Sequence, residues 1–383
     1  MKVLLVANEP FYPPTGGCSI GTWEIARRIA EEYELHVVSP QHWDGEIPAN
    51  IEMHPYNPKL FKVHRNMSFK TTKYSIYSAL LTKKVKEVIS KVHPDLILSR
   101  NAIALLSCGL VKGHIPLLLS MTDIITAYNQ RFALVNPVLN RIEVEIVKMA
   151  DGIMTITNAM AKELIKRGLN PSKFYPPHYD GVAVDHFDPG KYNDVEVKDK
   201  YNIESPIVGS IGSITRNQGL DFLVDAGKFI DEDVNFLIVG EGDFLPFLKK
   251  KIEKTGQRKR FTLTGFVPFN EIPKYHIAID IGVATYRETP SSRVSTTIRV
   301  LEYWSMGKPV VAHDFPGIRE IFDKSLGELC KPENPRDLAE KINVLLGRKD
   351  DFSKKCRNYV KEKFTWDACT ERIKRGIEDL YNK

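Results

Sequence analysis

Short apolar runs alternate with amphipathic helical stretches along almost the whole chain. Continuous apolar runs bounded by helices are typical of parallel strands whose two faces are both covered. The pattern therefore predicts an α/β protein, with helices such as 21–32 and 77–92 in the gaps. The strands predicted in the first half of the chain are 2–7, 34–38, 96–99, 116–121 and 152–157.

The alternation is interrupted between residues 176 and 202, where Pro, Gly, Asp and Tyr cluster at 176–181 and 187–190. Such clusters are typical of loops, so we expect an inter-domain linker here. The pattern then restarts, with strands predicted at 207–211, 235–239, 261–264, 281–285 and 309–313. The sequence thus predicts two Rossmann-like domains in tandem, and ligands of such sheets bind at the carboxyl ends of the strands.

Length and composition agree with two globular domains. At 383 residues the chain is too long for one ordinary core, and its 43% hydrophobic and 27% charged residues exclude a disordered or fibrous protein. The net charge of +6 suits an anionic ligand such as a nucleotide diphosphate, but it suits a membrane surface or nucleic acid equally well. The charge alone therefore selects no partner.

Cysteine usage and hydropathy favour a cytoplasmic protein. The five cysteines are an odd number and form no metal motif, so we expect free thiols in a reducing compartment. The apolar run at 3–7 is too short for a signal peptide, and no segment approaches the roughly 20 apolar residues of a membrane span. We expect a protein that is soluble, or peripheral at the inner face of the membrane.

The loop after the strand at 207–211 is a candidate phosphate site. It runs from Gly212 to Gly219 and leads into a helix predicted at 220–229. Backbone N–H groups and the helix dipole would face an anion there, and Arg216 would add a charged hydrogen bond. An ordinary turn between a strand and a helix explains the same residues, so the loop alone does not decide between the two.

Glycines also follow the next two predicted strands. Gly240 and Gly265 would let the backbone approach a flat ligand closely. Phe266 and Val267 would line a nucleobase pocket, and packing of Phe266 in the core is the competing interpretation.

The segment 296–312 carries the most information about function. It predicts a loop, a short helix, Gly307 as the helix C-cap and then a strand. A Ser/Thr run before the helix offers hydroxyls for N-capping. Arg299 lies in the first turn, where a cation opposes the helix dipole unless an anion lies between them. Glu302 lies one turn further on, within reach of the two hydroxyls of a ribose.

The run from Glu302 to Ala312, Glu-Tyr-x-x-x-Gly-Lys-Pro-Val-Val-Ala, and the Pro-Gly-Ile-Arg-Glu segment at 316–320 resemble the retaining glycosyltransferase family 4, the glycosyl transferases group 1. Fainter similarity extends to 1–17, 150–154, 181–182 and 364–366. The resemblance implies the GT-B fold, in which two Rossmann-like, doubly wound domains face each other across a cleft. It assigns residues 1–185 to the acceptor side, 186–365 to the donor side and 366–383 to a helix that packs back on the first domain.

The resemblance also implies roles for individual residues. Glu302 would hold the nucleotide ribose, and the backbone around Arg299 and Val300 would hold the diphosphate. The other donor contacts would come from the glycine loops and the base pocket, namely Gly16, Gly17, Gly212, Gly240, Gly265, Phe266 and Val267.

Several positions depart from the family pattern. Val294 stands where the family usually has a second glutamate that contacts the transferred sugar. Ser213 and Gln218 replace an arginine and a lysine of the phosphate loop, and Asp123 lies where a histidine is often found. The departures leave Arg216 as the expected compensating phosphate cation.

The chemistry that the resemblance implies is glycosyl transfer, which passes through an oxocarbenium-like state with a departing diphosphate. Arginines and two helix N-termini would neutralise that leaving group without a metal. We therefore expect metal independence and no cofactor, with a UDP-, GDP- or ADP-sugar as the donor substrate. Asp123 would orient the acceptor or take the proton of its hydroxyl, and a helix N-cap is the alternative role for this residue.

Residues 59–86 include eight basic residues and no acidic one, interleaved with aromatic side chains. Such a surface suits anionic lipid headgroups or a lipid-phosphate acceptor, and a solvated basic face is the alternative. The expected partners are thus a carbohydrate or lipid-linked acceptor and an anionic membrane surface, but no nucleic acid.

Three functions stay open at this point. The first is a transferase in glycolipid, glycan or cell-envelope polysaccharide synthesis. The second is a nucleotide-sugar-binding protein without transferase activity, because Val294, Ser213 and Gln218 alter the expected contacts. The third is a non-hydrolysing sugar-nucleotide epimerase, which would need an acid–base pair that the sequence does not reveal. A dehydrogenase is disfavoured because the opening strand lacks a Gly-x-Gly-x-x-Gly turn.

Overall fold

The structure, a computed structural model, describes residues 1–9, 17–40, 47–56, 70–124, 136–204, 206–348 and 352–383. The chain divides into two compact units. The first consists of Met1–Asp180 and Trp366–Lys383, and the second consists of Gly181–Thr365. Each unit contains one six-stranded sheet.

The first unit is built on a parallel sheet with the strand order β3-β2-β1-β4-β5-β6. Its strands are β1 (Lys2–Val6), β2 (Glu34–Val38), β3 (Ile51–Met53), β4 (Leu96–Arg100), β5 (Leu117–Met121) and β6 (Gly152–Thr155). The helices between them are α1 (Gly17–Ile29), α2 (Lys70–Val92), α3 (Asn101–Gly109), α4 (Asn136–Val147) and α5 (Asn158–Lys166).

The second unit repeats this topology with the order β12-β11-β10-β7-β8-β9. Its parallel strands are β7 (Ile207–Ile211), β8 (Asn235–Val239), β9 (Phe261–Leu263), β10 (Ile281–Ala284), β11 (Val310–His313) and β12 (Gly327–Cys330). Its helices are α6 (Val195–Tyr201), α7 (Leu220–Ala226), α8 (Leu245–Lys254), α9 (Ile272–Ala278), α10 (Pro290–Val294), α11 (Ile298–Ser305), α12 (Pro316–Arg319), α13 (Pro335–Gly347) and α14 (Phe352–Lys363).

Burial along the central strands explains why the sequence pattern was continuous rather than alternating. Every residue of β4, β5 and β7 is buried, because helices cover both faces of each sheet. The α/β prediction is confirmed, and all ten predicted strands are present within two residues at each end. The predicted helix 220–229 ends earlier, since α7 stops at Ala226 and a 3₁₀ turn follows.

The last helix of the chain, α15 (Trp366–Tyr381), belongs to the first unit. Its Asp367 accepts a hydrogen bond of 2.6 Å from Nε of Arg28 on α1. The Trp366 ring is buried, 3.2 Å from the position that a Cβ atom would take at Gly21. None of the helices in the described part of the chain combines the length and apolar character needed to cross a bilayer.

Candidate active site

The second sheet has its topological switch point between β7 and β10, because the chain winds outward from these neighbouring strands in both directions. In doubly wound sheets, ligands bind at this point, outside the carboxyl ends of the strands. The loops after β7 and β8 and the first turn of α11 meet at this edge, as the contacts of their residues show.

Three glycines that follow β7, β8 and β9 lie side by side at this edge. The N–H of Gly240 donates to the carbonyl of Gly265 over 3.0 Å, and a Cβ atom at Gly240 would lie 2.0 Å from the carbonyl oxygen of Gly212. Gly212 and Gly240 have φ values of 133° and 131°, which L side chains rarely adopt. The backbone therefore forms a surface without side chains that a ligand can approach closely.

Arg299 is a buried cation beside this glycine surface. Only 8% of the residue is exposed, and its Nη1 donates to Ser210 Oγ over 3.3 Å. A Cβ atom at Gly212 would lie 2.5 Å from Arg299 Nη2, so the glycine makes room for the guanidinium. Among the described residues, no carboxylate pairs with Arg299. Since an unpaired buried charge is costly, the geometry favours an anionic ligand here.

The start of α11 has no side-chain cap. Thr297 occupies the N-cap position, but its hydroxyl lies 2.7 Å from the hydroxyl of Tyr286 and caps nothing. The expected N-capping is therefore wrong for Thr297. Ser295 Oγ and Thr296 Oγ1 are buried, and neither has a hydrogen-bond partner in the described part of the chain. An uncapped helix start with unused hydroxyls beside it suits a negatively charged ligand that carries hydroxyl groups.

Glu302 lies one turn after Arg299 on α11. Its side chain is 17% exposed, and its Oε2 lies 3.7 Å from Nε2 of His276. His276 is fully buried, and burial lowers the pKa of its imidazole, so the ring stays neutral beside the carboxylate. The Glu302 carboxylate is thus positioned at the edge of the site with acceptor capacity for ligand hydroxyls.

The loop between β7 and α7 contacts the segment that follows β10. Thr285 Oγ1 donates to the Gln218 carbonyl over 2.8 Å, while Gln218 Oε1 is buried without a partner among residues that the structure describes. Arg216 is exposed, and its carbonyl oxygen accepts a hydrogen bond of 3.1 Å from Nε of Arg287. No described carboxylate pairs with the Arg216 guanidinium, which can therefore turn toward an anion.

The residues predicted for the base pocket and the diphosphate differ in burial. Phe266 is 68% exposed, so the competing interpretation of this residue as core packing is wrong. Val267 is nearly buried beside it. Val300 is fully buried in the core, and its N–H already donates to the carbonyl of Thr297 over 3.3 Å. An exposed aromatic ring next to Gly265 offers a stacking surface for a flat ligand.

Charged residues also gather at the carboxyl ends of the strands in the first unit. Arg100 ends β4, is buried, and donates from Nη1 to Ser120 Oγ over 2.6 Å. Burial raises the pKa of Glu9, which follows β1; the charge of Arg100 opposes this shift and that of Asp123 adds to it. Asp123, predicted from the sequence, thus lies in an electrostatic cluster with Glu9 and Arg100.

Sequence reasoning missed Glu9 and Arg100. The signal that points to them is their position, because each is a charged residue at the end of an apolar strand that flanks the switch point of its sheet. Gly17 is the first residue of α1, whereas Gly16 and the part of the basic segment at 59–69 lie outside the described residues.

An Asp-x-Asp triplet occurs at 231–233. The triplet precedes β8, so it lies at the amino ends of the strands, whereas Gly212 and Arg299 meet at the carboxyl ends. On sequence spacing alone, the triplet is a candidate metal-binding motif. Its place at the opposite edge of the sheet separates it from the candidate site.

Comparison with known families identifies both units. The family described as Glycosyltransferase Family 4 matches residues 15–175, and the family described as Glycosyl transferases group 1 matches residues 205–348. Each unit contains one parallel six-stranded sheet, and solved structures share this arrangement over nearly the whole chain. The protein therefore has the GT-B fold. The chain belongs to the family 4 glycosyltransferases, the glycosyl transferases group 1.

Curated relatives are glycosyltransferases at modest identity. Alpha-D-kanosaminyltransferase of Streptomyces kanamyceticus is 26% identical over 219 residues, which cover 55% of this chain and 55% of the relative. Chitobiosyldiphosphodolichol beta-mannosyltransferase of Candida albicans is 25% identical over 293 residues, which cover 68% of this chain and 58% of the relative. The chain thus spans little more than half the length of these relatives.

Solved structures share the fold over nearly the whole chain. Sucrose-phosphate synthase from Thermosynechococcus elongatus matches with a TM-score of 0.82 and 16% identity, covering 100% of this chain and 99% of that chain. HepE of Anabaena in complex with UDP-glucose matches with a TM-score of 0.78 and 19% identity, covering 99% of this chain and 100% of that chain. These similarities establish the fold.

Proposed function

We propose that this protein is a retaining glycosyltransferase that moves a sugar from a nucleoside diphosphate sugar to an acceptor hydroxyl. The observation that carries the proposal is the burial of Arg299 beside the uncapped start of α11, with no carboxylate partner among the described residues. A diphosphate supplies the anion that this arrangement favours. Membership of the family supports sugar transfer as the reaction, with the diphosphate as its leaving group.

The second unit holds the donor in this proposal. Arg299 and the N-terminus of α11 bind the diphosphate against the backbone of Gly212 and Gly240, and Arg216 adds a second cation. Glu302 accepts hydrogen bonds from the ribose hydroxyls. The base lies against the residues after β9, namely Gly265, Phe266 and Val267. The complex of HepE with UDP-glucose, in the same fold, supports a donor of this class.

The leaving group explains why cations are needed at this place. Negative charge develops on the diphosphate as its bond to the sugar breaks. Arg299 meets this charge from a buried position, where electrostatic stabilisation exceeds that in water. Because cationic side chains and a helix N-terminus neutralise the leaving group, the proposed reaction is independent of metal.

The first unit holds the acceptor in this proposal. Asp123 orients the acceptor hydroxyl or takes its proton, and Arg100 and Glu9 set the electrostatic environment of that step. The acceptor that we propose is a carbohydrate or a lipid-linked sugar in the cytoplasm, as in glycolipid, glycan or cell-envelope polysaccharide synthesis.

A thermal-shift screen tests the donor site directly. UDP-, GDP- and ADP-sugars are compared, since HepE was solved with UDP and a mycobacterial relative is named for GDP-mannose. A ligand at 100 times its Kd stabilises the folded protein by about 2.7 kcal/mol. One class of donor is expected to raise the Tm at these concentrations, and no shift with any of the three would contradict the proposal.

Glu302→Ala is expected to weaken binding of that donor by about 10- to 100-fold. The estimate follows from the roughly 1.5–3 kcal/mol that a hydrogen bond to a charged group contributes. Calorimetric titration of the donor measures the change. Glu340→Ala, at an exposed position on α13, is the control and should bind like the wild type. Unchanged donor affinity in the Glu302 variant would rule out the ribose assignment.

Asp123→Asn is expected to lower turnover at least about 100-fold, because general acid–base catalysis typically contributes 10²–10⁴-fold. Donor affinity should stay the same, since Asp123 lies in the first unit and Arg299 in the second. Steady-state kinetics and donor titration together measure both effects. Asp199→Asn, exposed on α6, is the control. A variant with wild-type turnover would remove Asp123 from the mechanism.

A donor-binding protein without transferase activity is the second candidate, because Val294 offers no carboxylate to the sugar. Val294 is buried, and a Cβ atom at Gly317 would lie 2.6 Å from its carbonyl carbon, so the segment packs tightly against α12. In the transferase, the unpartnered hydroxyls of Ser295 and Thr296 supply the missing sugar contacts. An assay for glycosylated acceptor separates the two candidates.

A further inference from the structure

We propose that His36, Glu52 and His54 form a binding site for a divalent transition-metal ion of the Zn²⁺ class. Their ligand atoms all lie within 4.8 Å of one another at the β3 edge of the first sheet. The residues are distant in the fold from Asp123 at the end of β5, and none of them belongs to the proposed transferase site. The proposal therefore stands or falls independently of the proposed function.

Strand pairing explains why the three side chains meet. His36 on β2 is the register partner of Glu52 on β3, so the two residues point to the same face of the parallel sheet. His54 follows Glu52 by two residues along the extended chain and therefore shares its face. Strand pairing alone thus brings Glu52 and His54 together with His36 on the neighbouring strand, and no specialised loop is needed.

The distances between the ligand atoms fit one small ion. His36 Nδ1 lies 3.0 Å from His54 Nε2, and the Glu52 carboxylate lies 3.4 Å from His36 Nδ1 and 3.5 Å from His54 Nε2. Ligands of tetrahedral Zn²⁺ at bond lengths of about 2.05 Å lie roughly 3.3 Å apart. Two histidines and one glutamate are also a ligand set that Zn²⁺ takes when a fourth position stays open to water.

Glu34 supplies the outer contact that metal-binding histidines usually have. Its Oε1 lies 3.1 Å from His36 Nε2, so Nε2–H donates to Glu34 and the Nδ1 lone pair of His36 points toward the site. In the metal-free protein, His54 Nε2–H donates to that lone pair. Metal binding then requires the His54 proton to move to its other ring nitrogen.

The pattern of burial also suits an ion bound from one side. The two imidazoles are buried and stack with centroids 5.3 Å apart, while the side chain of Glu52 is 53% exposed. Each carboxylate faces one ammonium group, because Lys2 Nζ lies 3.6 Å from Glu34 and Lys91 Nζ lies 3.6 Å from Glu52. Both lysine side chains are partly exposed, so they can turn into water when a cation binds. Because Glu52 is exposed, an ion can enter beside it and keep a water ligand. The bound ion would also link the short edge strand β3 to β2.

Calorimetric titration of Zn²⁺ into chelator-treated, full-length protein tests the site, with Co²⁺ absorption spectra as a second readout. The wild type is expected to bind one ion that the His54→Gln and Glu52→Gln variants bind at least about 100-fold more weakly. Glu34→Gln should weaken binding about 10-fold through its contact with His36. His114→Gln, at an exposed histidine of the same unit, is the control and should bind like the wild type.

Glu52→Gln keeps the test decisive if a histidine variant fails to fold, because the Glu52 side chain is largely exposed. Wild-type affinity in Glu52→Gln, or no stoichiometric Zn²⁺ binding by the wild type, would overturn the proposal. An intense visible Co²⁺ spectrum, as four-coordinate ions give, that disappears in Glu52→Gln would support it. Donor binding in the second unit is expected to be the same with and without the ion.

Discussion

Arg299→Met is expected to lower kcat/KM about 100- to 1000-fold while leaving the unliganded protein at least as stable as the wild type. The loss in rate follows from the typical effect of removing one preorganised electrostatic group at a leaving or developing anion. The stability follows from burial, because an unpaired buried cation is replaced by an apolar side chain of similar length. If Arg299 stabilised the fold instead, its replacement would lower the stability and leave kcat/KM unchanged.

Kinetics of nucleotide release and thermal unfolding without donor measure the two effects of Arg299→Met. Arg293→Met is the matched control, since Arg293 lies on α10 close by in sequence, is exposed and pairs with Glu288. The control should keep its turnover. Normal turnover together with a lower Tm in the Arg299 variant would show that the guanidinium has a structural role.

Gly240→Ala is expected to destabilise the second unit by about 2–5 kcal/mol and to abolish donor binding. A Cβ atom there would lie 2.0 Å from the carbonyl oxygen of Gly212, so the backbone of one loop must move. Overpacking typically costs 1–3 kcal/mol, and the positive φ adds strain of roughly 1–2 kcal/mol. Movement of the Gly212 loop also displaces the glycine surface beside Arg299, where the proposed function places the diphosphate.

Gly265→Ala is the control for this prediction. Gly265 has a φ of 76°, but a Cβ atom there would meet nothing within 4 Å, so only the backbone strain of about 1–2 kcal/mol applies. Denaturant unfolding of the two variants without donor compares them. Equal destabilisation by both substitutions would contradict the close approach of the loops.

Most strands were predictable because burial on both faces leaves a continuous apolar run. The exceptions are β3 (Ile51–Met53) and β12 (Gly327–Cys330), which lie at sheet edges. An edge strand has one neighbour and is covered less completely, so Glu52 and Glu328 interrupt its apolar pattern. Strands of three or four residues are too short for a period to stand out.

The candidate donor site was partly predictable for a similar reason. Arg299 and Glu302 lie on one helix, so their relation follows from helical spacing. The contact of Arg299 with Gly212 joins residues from distant parts of the chain, and only the fold reveals it. Likewise, Tyr286 engages the Thr297 hydroxyl from the segment after β10, and sequence-based capping rules do not include such tertiary partners.

Prediction of the candidate site in the first unit depended on tertiary structure even more. Asp123 was predictable because it lies where the family often has a histidine, whereas Glu9 and Arg100 carry no motif. The sheet order makes β1 and β4 neighbours, and this adjacency brings Glu9 and Arg100 into electrostatic contact. Pairing of strands that are distant in sequence is the information that a single sequence lacks.

We propose above all that the protein transfers the sugar of a nucleoside diphosphate sugar. The direct test incubates the protein with the donor from the thermal-shift screen and a panel of carbohydrate and lipid-linked acceptors, followed by mass spectrometry and NMR. The expected result is one nucleoside diphosphate released for each glycosylated acceptor, with the anomeric configuration of the donor retained. Donor that is bound but unconsumed, or a product in which an altered sugar keeps its nucleotide, would contradict the account.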